Sequence, residues 1–494
     1  MARYAYDRLT ALDHSFLLFE KPNAYMHVAS TQIFEMGPLR TPEGGVDAQA
    51  IKDATAALLH KIPRYRQKLV TIPIEGRPVW VDDPTFNIDY HIRHTSLPRP
   101  GTERQLKRLS ARIMQQHLDR RRPLWEIWIV EGLEDDRFAL ISKVHHCMID
   151  GVSGVDLLRI LMSPTPDQEI SEPPIFVPRP QPSGTELLAD ELVRRVTLPF
   201  KTIGDLGSFL SEARDLRRDL ASRLRSVSSL LGRTLRSASD TPLNREIGPH
   251  RRFDWFTMDL ADIKGLRRHL GGSLNDIVLT VVTGAVRRFL EGRQCDPTEL
   301  TFRVMAPVSV RSKEERGSLG NRVSAWIVEL PIGEPDPREQ LARISEQTIE
   351  LKASKEAVAA ELLTQAAEFT PTALLALGAR NATRMLPFNL VVTNVPGPQK
   401  TMYLLGARML EIYPHVPLMD HLALGIALMS YDGQLHWGFN ADYDTMPDVH
   451  PFVEDVQAAY AELGRLADVA LPEPPPSDPA PRRGPRGNGA SASA

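Results

Sequence analysis

KVHHCMIDGVSG, residues 143–154, places two adjacent histidines, His145 and His146, ahead of an aspartate, Asp150, that is followed by Gly151. The apolar run from Phe138 to Val144 before it is strand-like. SGVDLLRIL after it has helical spacing, with Ser153 as a candidate cap, so the cluster sits on a strand-to-helix turn. Neighbours on a strand point to opposite faces, so the two imidazoles share one cavity only if the turn has already begun.

Three readings of this cluster compete. A zinc site wants three or four ligands at suitable spacing, such as two histidines four apart on one helical face, and adjacent histidines on a strand chelate poorly. No resident metal is therefore expected. Both imidazoles could simply hydrogen-bond within a packed turn. Alternatively, a neutral imidazole, with a pKa of about 6.5 when unperturbed, can take a proton from an alcohol at neutral pH. Asp150 could orient that imidazole, or could lock the turn by pairing with an arginine such as Arg303 or Arg311, with Gly151 supporting the bend. Cys147 is a poor nucleophile candidate, because strand alternation points it away from His146.

Working outward, 494 residues exceed one compact core, so two domains are expected. The net charge of -3 gives no global reason to expect nucleic acid. Two cysteines, Cys147 and Cys295, argue against a disulfide framework and fit a reducing compartment. The first residues carry charges where a signal peptide needs an apolar core, and no run of apolar residues is long enough to span a bilayer. A cytoplasmic protein is the expectation.

Four segments follow from composition and periodicity: an N-terminal domain over 1–185, a linker over 186–251, a C-terminal domain over 252–470 and a tail over 471–494. The proline-rich stretch 163–184 closes the first. In the linker, Leu206, Phe209, Leu210, Ala213, Leu216 and Leu220 recur at helical spacing. From Glu191 to Arg252 there are 13 Lys or Arg against 7 Asp or Glu. This amphipathic helix either bridges the domains or leans on anionic lipid. Strand-like runs (FRVMAPVSV, VSAWIVELPI, FNLVVTNV) alternate with helical ones (DIVLTVVTGAVRRFLEG) in the C-terminal domain, so a mixed α/β class is expected. The tail, with seven prolines in 24 residues, should be disordered.

Within the helical run, Ser273 and Asp276 read as a capping box, and Asn275 beside them could stabilise an oxyanion. Pro123, Leu124 and Trp125 could line a substrate channel, although a tryptophan in PLWEIWIV is as easily core.

HHCMIDG matches the HHxxxDG pattern of acyl-CoA-dependent acyltransferases, and its company narrows the resemblance. LTALDHSFLLFEKPNAYMHV, the Pro-Leu-Trp of Pro123 to Trp125, the Asn-Asp of Asn275 and Asp276, and then MAPVSVR, GNRVS, VVTNVPGP and ADYDTMPDV resemble, in order, the motifs of the bacterial wax ester synthase/diacylglycerol acyltransferase family. The resemblance runs from about Leu9 to about Ala470. It implies two chloramphenicol-acetyltransferase-like domains joined by a crossover, with a central channel at their interface.

The resemblance also implies a function and its residues. His146 would be the general base, supported by His145, with Asp150 more structural than chemical. A long-chain acyl group would pass from acyl-CoA, a substrate and not a cofactor, to diacylglycerol or a fatty alcohol. No cofactor is implied, and the apolar substrates suggest a membrane or lipid-droplet surface. The alternatives are a condensation or polyketide-ester type acyltransferase with a carrier-bound donor, and a non-catalytic lipid-binding homologue.

Overall fold

The computed structural model describes residues 6–148, 160–167, 170, 172–194, 238–309, 323–353 and 387–468. In chain order the first half comprises β1 (Asp7–Arg8), α1 (Ala11–Phe19), β2 (His27–Glu35), α2 (Ala48–Leu58), β3 (Gln67–Thr71), β4 (Pro78–Asp82), α3 (Ile88–His91), β5 (Ile92–Ser96), α4 (Glu103–Met114), β6 (Trp125–Leu133) and β7 (Arg137–His145). The second comprises β8 (Arg251–Asp259), α5 (Leu260–Leu270), α6 (Leu274–Glu291), β9 (Phe302–Ser309), β10 (Val323–Leu330), α7 (Pro337–Ala353), β11 (Leu390–Pro396), β12 (Tyr403–Leu404), β13 (Ala407–His415), β14 (Leu424–Tyr431), β15 (Gln434–Asp442) and α8 (His450–Leu466).

Two six-stranded sheets organise these elements, in the orders β12-β13-β2-β7-β6-β5 and β10-β9-β11-β14-β15-β8, beside a small β1-β4-β3 sheet. The mixed α/β class is as the sequence led us to expect. The strand β7 reads RFALISKVH without clean alternation because both of its faces are covered. Phe138 and Leu140 enter the core beneath α1 and α2, and Phe138 stacks on Phe34 with ring centroids 5.0 Å apart. Ala139 and Ile141 face the other way, onto α4, β8 and β13.

The division at residue 252 needs one correction. Strands β12 and β13, which belong by sequence to the C-terminal segment, complete the first sheet: β13 pairs antiparallel with β2, placing His415 opposite Ala29. Composition cannot reveal this, because a strand carries the same side chains whichever sheet it joins. The seam between the halves is aromatic, with Trp255 stacked on Tyr413 at 4.6 Å and Phe253 on His415 at 3.3 Å.

An ion pair and an arginine hydrogen bond reinforce the seam. Lys21 pairs with Asp420. The buried Arg251 guanidinium lies 3.7 Å from Asp442, donates to the carbonyls of Gly248 and His250, and reaches back to the carbonyl of Asn23 in the first half.

The expected basic helix falls mostly on 195–237 and the tail on 469–494, both outside the described residues. The linker's start is helical over 184–194. It docks on the small sheet through Leu187, which packs with Ile72, Val79 and Val81.

Candidate active site

The histidine pair stands where β7 ends. The N–H of His145 bonds the carbonyl of Leu124 at 2.9 Å, and the N–H of His146 bonds that of Met26 at 2.7 Å. The chain then leaves the sheet in a single 3-10 turn, His146–Met148. The two side chains part as alternation requires: His145 continues the face of Lys143 and meets His27 across the β2–β7 pair, ring centroids 5.6 Å apart. His146 stacks on Phe16 at 3.8 Å.

Helix α1 serves both imidazoles. Thr10 caps it by accepting the N–H of Asp13, and Phe16 on its last turn covers His146. Glu20, its C-terminal cap residue, lies with Oε1 3.6 Å from His145 Nε2 and 3.5 Å from His27 Nε2. Arg120 pairs with the other carboxylate oxygen. Burial pushes the Glu20 carboxyl up, but His145, His27 and Arg120 outweigh it and hold the group down at about 2. It is therefore a carboxylate at neutral pH.

Burial also depresses His146, to about 4, with the neighbouring His145 acting in the same direction. Its Nδ1 is buried without a hydrogen-bond partner among the described residues. The residue's own backbone opposes that depression without overcoming it. His146 is thus a neutral imidazole with one basic nitrogen.

His145 differs. Its Nδ1 accepts the N–H of Cys147 at 3.1 Å, so Nε2 must carry the proton. A protonated Nε2 cannot ligate a metal, which argues against a chelating pair on chemical grounds. Cys147 is 2% exposed, and burial raises its thiol well above the ordinary range, leaving it unsuited as a nucleophile.

Just upstream, Lys143 is fully buried yet satisfied: Nζ lies 2.6 Å from Glu126 and donates to the carbonyls of Ile113 and Gln116, at 2.8 and 2.9 Å. It pins the end of α4 to β7.

Other sequence expectations divide. Asp150, Gly151 and Arg311 lie outside the described residues, while Arg303 on β9 lies 3.3 Å from Glu329. Pro123, Leu124 and Trp125 are packed into the core and do not face open space. Trp125 is 1% exposed, donates its indole N–H to the Tyr65 carbonyl at 2.8 Å and stacks on His91 at 4.5 Å. That packing favours the core reading of Trp125 over the channel one.

Ser273 and Asp276 form the expected capping box at the start of α6. Asp276 also accepts from Ser345 and Thr348, at 3.2 and 2.8 Å, which makes it architectural. Asn275 accepts the side-chain N–H of Asn394 at 2.8 Å, leaving its own amide N–H groups as donors. Both asparagines line a cleft of about 50 Å³ with Ala306, Pro307 and Trp326. Neither histidine lines that cleft.

Sequence reasoning missed Glu20, His27, Phe16 and Asn394. All four sit in motifs whose order was recognised, but nothing local in the chain signals their contacts.

Comparison with known proteins then decides the family. The model of the wax ester synthase/diacylglycerol acyltransferase catalytic domain matches residues 9–278, and that of the family's C-terminal domain matches 319–464. The chain belongs to the wax ester synthase/diacylglycerol acyltransferase family.

A Mycobacterium tuberculosis protein provisionally named a diacylglycerol O-acyltransferase is 31% identical to this family member over 94% of its chain and 91% of the relative. A second from that organism, similarly named tgs1, is 30% identical over 92% and 96%. Among solved structures, the wax ester synthase/diacylglycerol acyltransferase from Marinobacter aquaeolei VT8 superposes with a TM-score of 0.65 at 26% identity, covering 94% of this chain and all of that one. The starter condensation domain of rhizomide synthetase matches with a TM-score of 0.56 at 13% identity over 94% and 96%, a likeness of fold alone.

Proposed function

We propose that this family member is an O-acyltransferase that moves a long-chain acyl group from acyl-CoA to the hydroxyl of diacylglycerol or of a long-chain alcohol, with His146 as the general base. The observation that carries the reading is the state of His146: buried at Nδ1, stacked on Phe16, and held neutral by a pKa depressed to about 4. Acyl transfer is the activity of the family to which the chain belongs. The acceptors are inferred from the names of its relatives.

The chemistry is short. Nε2 of His146 takes the proton from the acceptor hydroxyl as the oxygen attacks the thioester carbonyl. The tetrahedral intermediate collapses by breaking the C–S bond, and the departing thiolate takes the proton back from the imidazolium. The parent thiol has a pKa of about 8.5 by analogy with cysteine, so the leaving group needs little help and the weak nucleophile is the problem to solve. Asn275, with its amide N–H groups uncommitted to Asn394, is the candidate donor to the oxyanion. The route needs no cofactor and no acyl-enzyme.

We place the reaction at a cytoplasmic membrane face or lipid droplet. Among the described residues no helix is long and apolar enough to cross a membrane. Leu192 and Val193, 58% and 62% exposed, lie on the helix just ahead of the basic stretch of sequence, an arrangement suited to a lipid surface.

The test incubates purified protein with labelled palmitoyl-CoA and either diacylglycerol or hexadecanol, then separates neutral lipids by chromatography. Triacylglycerol or wax ester should form and fall at least about 10²-fold in a folded His146→Ala variant. Equal product from that variant overturns the base assignment. No product from either acceptor overturns the acyl-CoA reading in favour of a carrier-bound donor or lipid binding.

A further inference from the structure

We propose that Glu20 is a positioning residue: it holds the imidazole of His145 in its Nε2–H form and, through that imidazole, fixes the turn that presents His146. The inference rests on His146 as the base, but its structural half stands apart from that assignment.

An amide N–H can only donate. Because the Cys147 N–H meets His145 Nδ1 at 3.1 Å, Nδ1 must offer a lone pair, and a neutral imidazole then carries its proton on Nε2. That N–H faces Glu20 Oε1 at 3.6 Å, longer than a hydrogen bond but close enough for the carboxylate's charge to favour an N–H over a lone pair at that position. The opposite tautomer would set N–H against N–H at Cys147 and leave the carboxylate facing a lone pair. Either clash moves the residue that follows His146, and so moves the base.

The surroundings leave Glu20 in control of this choice. Its side chain is 8% exposed, so water screens it little. Arg120 occupies the oxygen turned away from the histidines. His27, facing the same Oε1 at 3.5 Å from β2, is driven well below the ordinary range by its burial and by Lys143, and it is neutral. Lys143 is committed to Glu126 and to two carbonyls of the α4 end, so it does not compete for the Glu20 carboxylate. A carboxylate facing an imidazole N–H fixes tautomer and ring orientation, and at metal-bound histidines losing that outer partner costs about 10- to 100-fold in affinity or activity.

The test uses the full chain labelled with [15N]histidine, the His145 signals being assigned by their absence in His145→Gln. Nitrogen shifts of the wild type should report an unprotonated Nδ1 and a protonated Nε2 at neutral pH. Glu20→Leu should shift His145 toward the other tautomer and lower kcat by about 10²-fold with little change in the KM for palmitoyl-CoA. Glu20→Gln keeps a carbonyl oxygen able to accept from Nε2, and should retain kcat within about 10-fold of wild type.

A wild-type His145 protonated on Nδ1 overturns the proposal without any variant. So does Glu20→Leu with unchanged kcat, an effect confined to KM, or Gln and Leu variants that fall equally. Should Glu20→Leu fail to fold, the wild-type tautomer and the Glu20→Gln kinetics decide. An active His146→Ala beside the expected His145 tautomer would instead sink the base assignment and leave the Glu20 contact standing.

Discussion

Acidifying the assay separates a buried catalytic imidazole from an ordinary one. With its pKa depressed to about 4, about 97% of His146 stays in the basic form at pH 5.5, whereas an imidazole of unperturbed pKa, about 6.5, would be about 9% basic there. The acid limb of kcat/KM, which reports the free enzyme, should therefore be flat from pH 8 to about 5.5 and bend only below that. An unshifted base would lose about tenfold over the same range.

Product should be counted by chromatography of the neutral lipid, since thiol-detecting reagents are themselves pH-dependent. Each point needs a parallel circular dichroism measurement, because other histidines couple acid to stability. His415 and His436 are buried, and their burial lowers both below the ordinary imidazole value, His436 to about 4. A group whose folded pKa lies below its unfolded value stabilises the fold above the unfolded pKa, about 6.5. That contribution is lost as pH falls toward 4, so unfolding sets in on the acid side. An acid limb with an apparent pKa of 6 to 7, in protein still folded by dichroism, would refute the account of His146.

Lys143→Met should destabilise the protein by up to about 3–5 kcal/mol in denaturant titration, because it removes the nearer cation from the buried Glu126 carboxylate and leaves it Arg93 at 3.5 Å. Adding Glu126→Leu should recover most of that loss, and a double variant no more stable than the single would show that the pair is not the reason. Asp276→Ala should cost more than Ser273→Ala, for which about 1 kcal/mol is expected, since Asp276 also holds Ser345 and Thr348. Melting curves of the two variants check the order, and equal losses would reduce Asp276 to a simple cap.

What the sequence disclosed depended on the range of the interaction. The strand β7 and the capping box of α6 are written in neighbouring residues, and each was legible. Divergence of the two histidines followed from alternation alone. Trp125 was ambiguous because a core wall and a channel wall want the same apolar side chain, and only the Tyr65 carbonyl and the His91 ring distinguish them. The pairing of Glu20 with His145 spans 125 positions and leaves no local periodicity. The allegiance of β13 to the first sheet was hidden for a related reason: register with β2 is a property of two distant segments, not of either one.

That strand also limits how the molecule can move. Strands β11 and β14 on either side lie in the second sheet, while β12 and β13 between them belong to the first, β13 being bonded along β2. The chain therefore crosses the seam twice within some thirty residues, over segments 397–402 and 416–423. Two short tethers on a strand stitched into the opposite sheet forbid a wide clamshell opening unless the β2–β13 ladder breaks. Bulky apolar molecules must then be admitted by local displacement of loops and helices at the rim, and turnover with long-chain acceptors should survive a covalent cross-link between the two sheets.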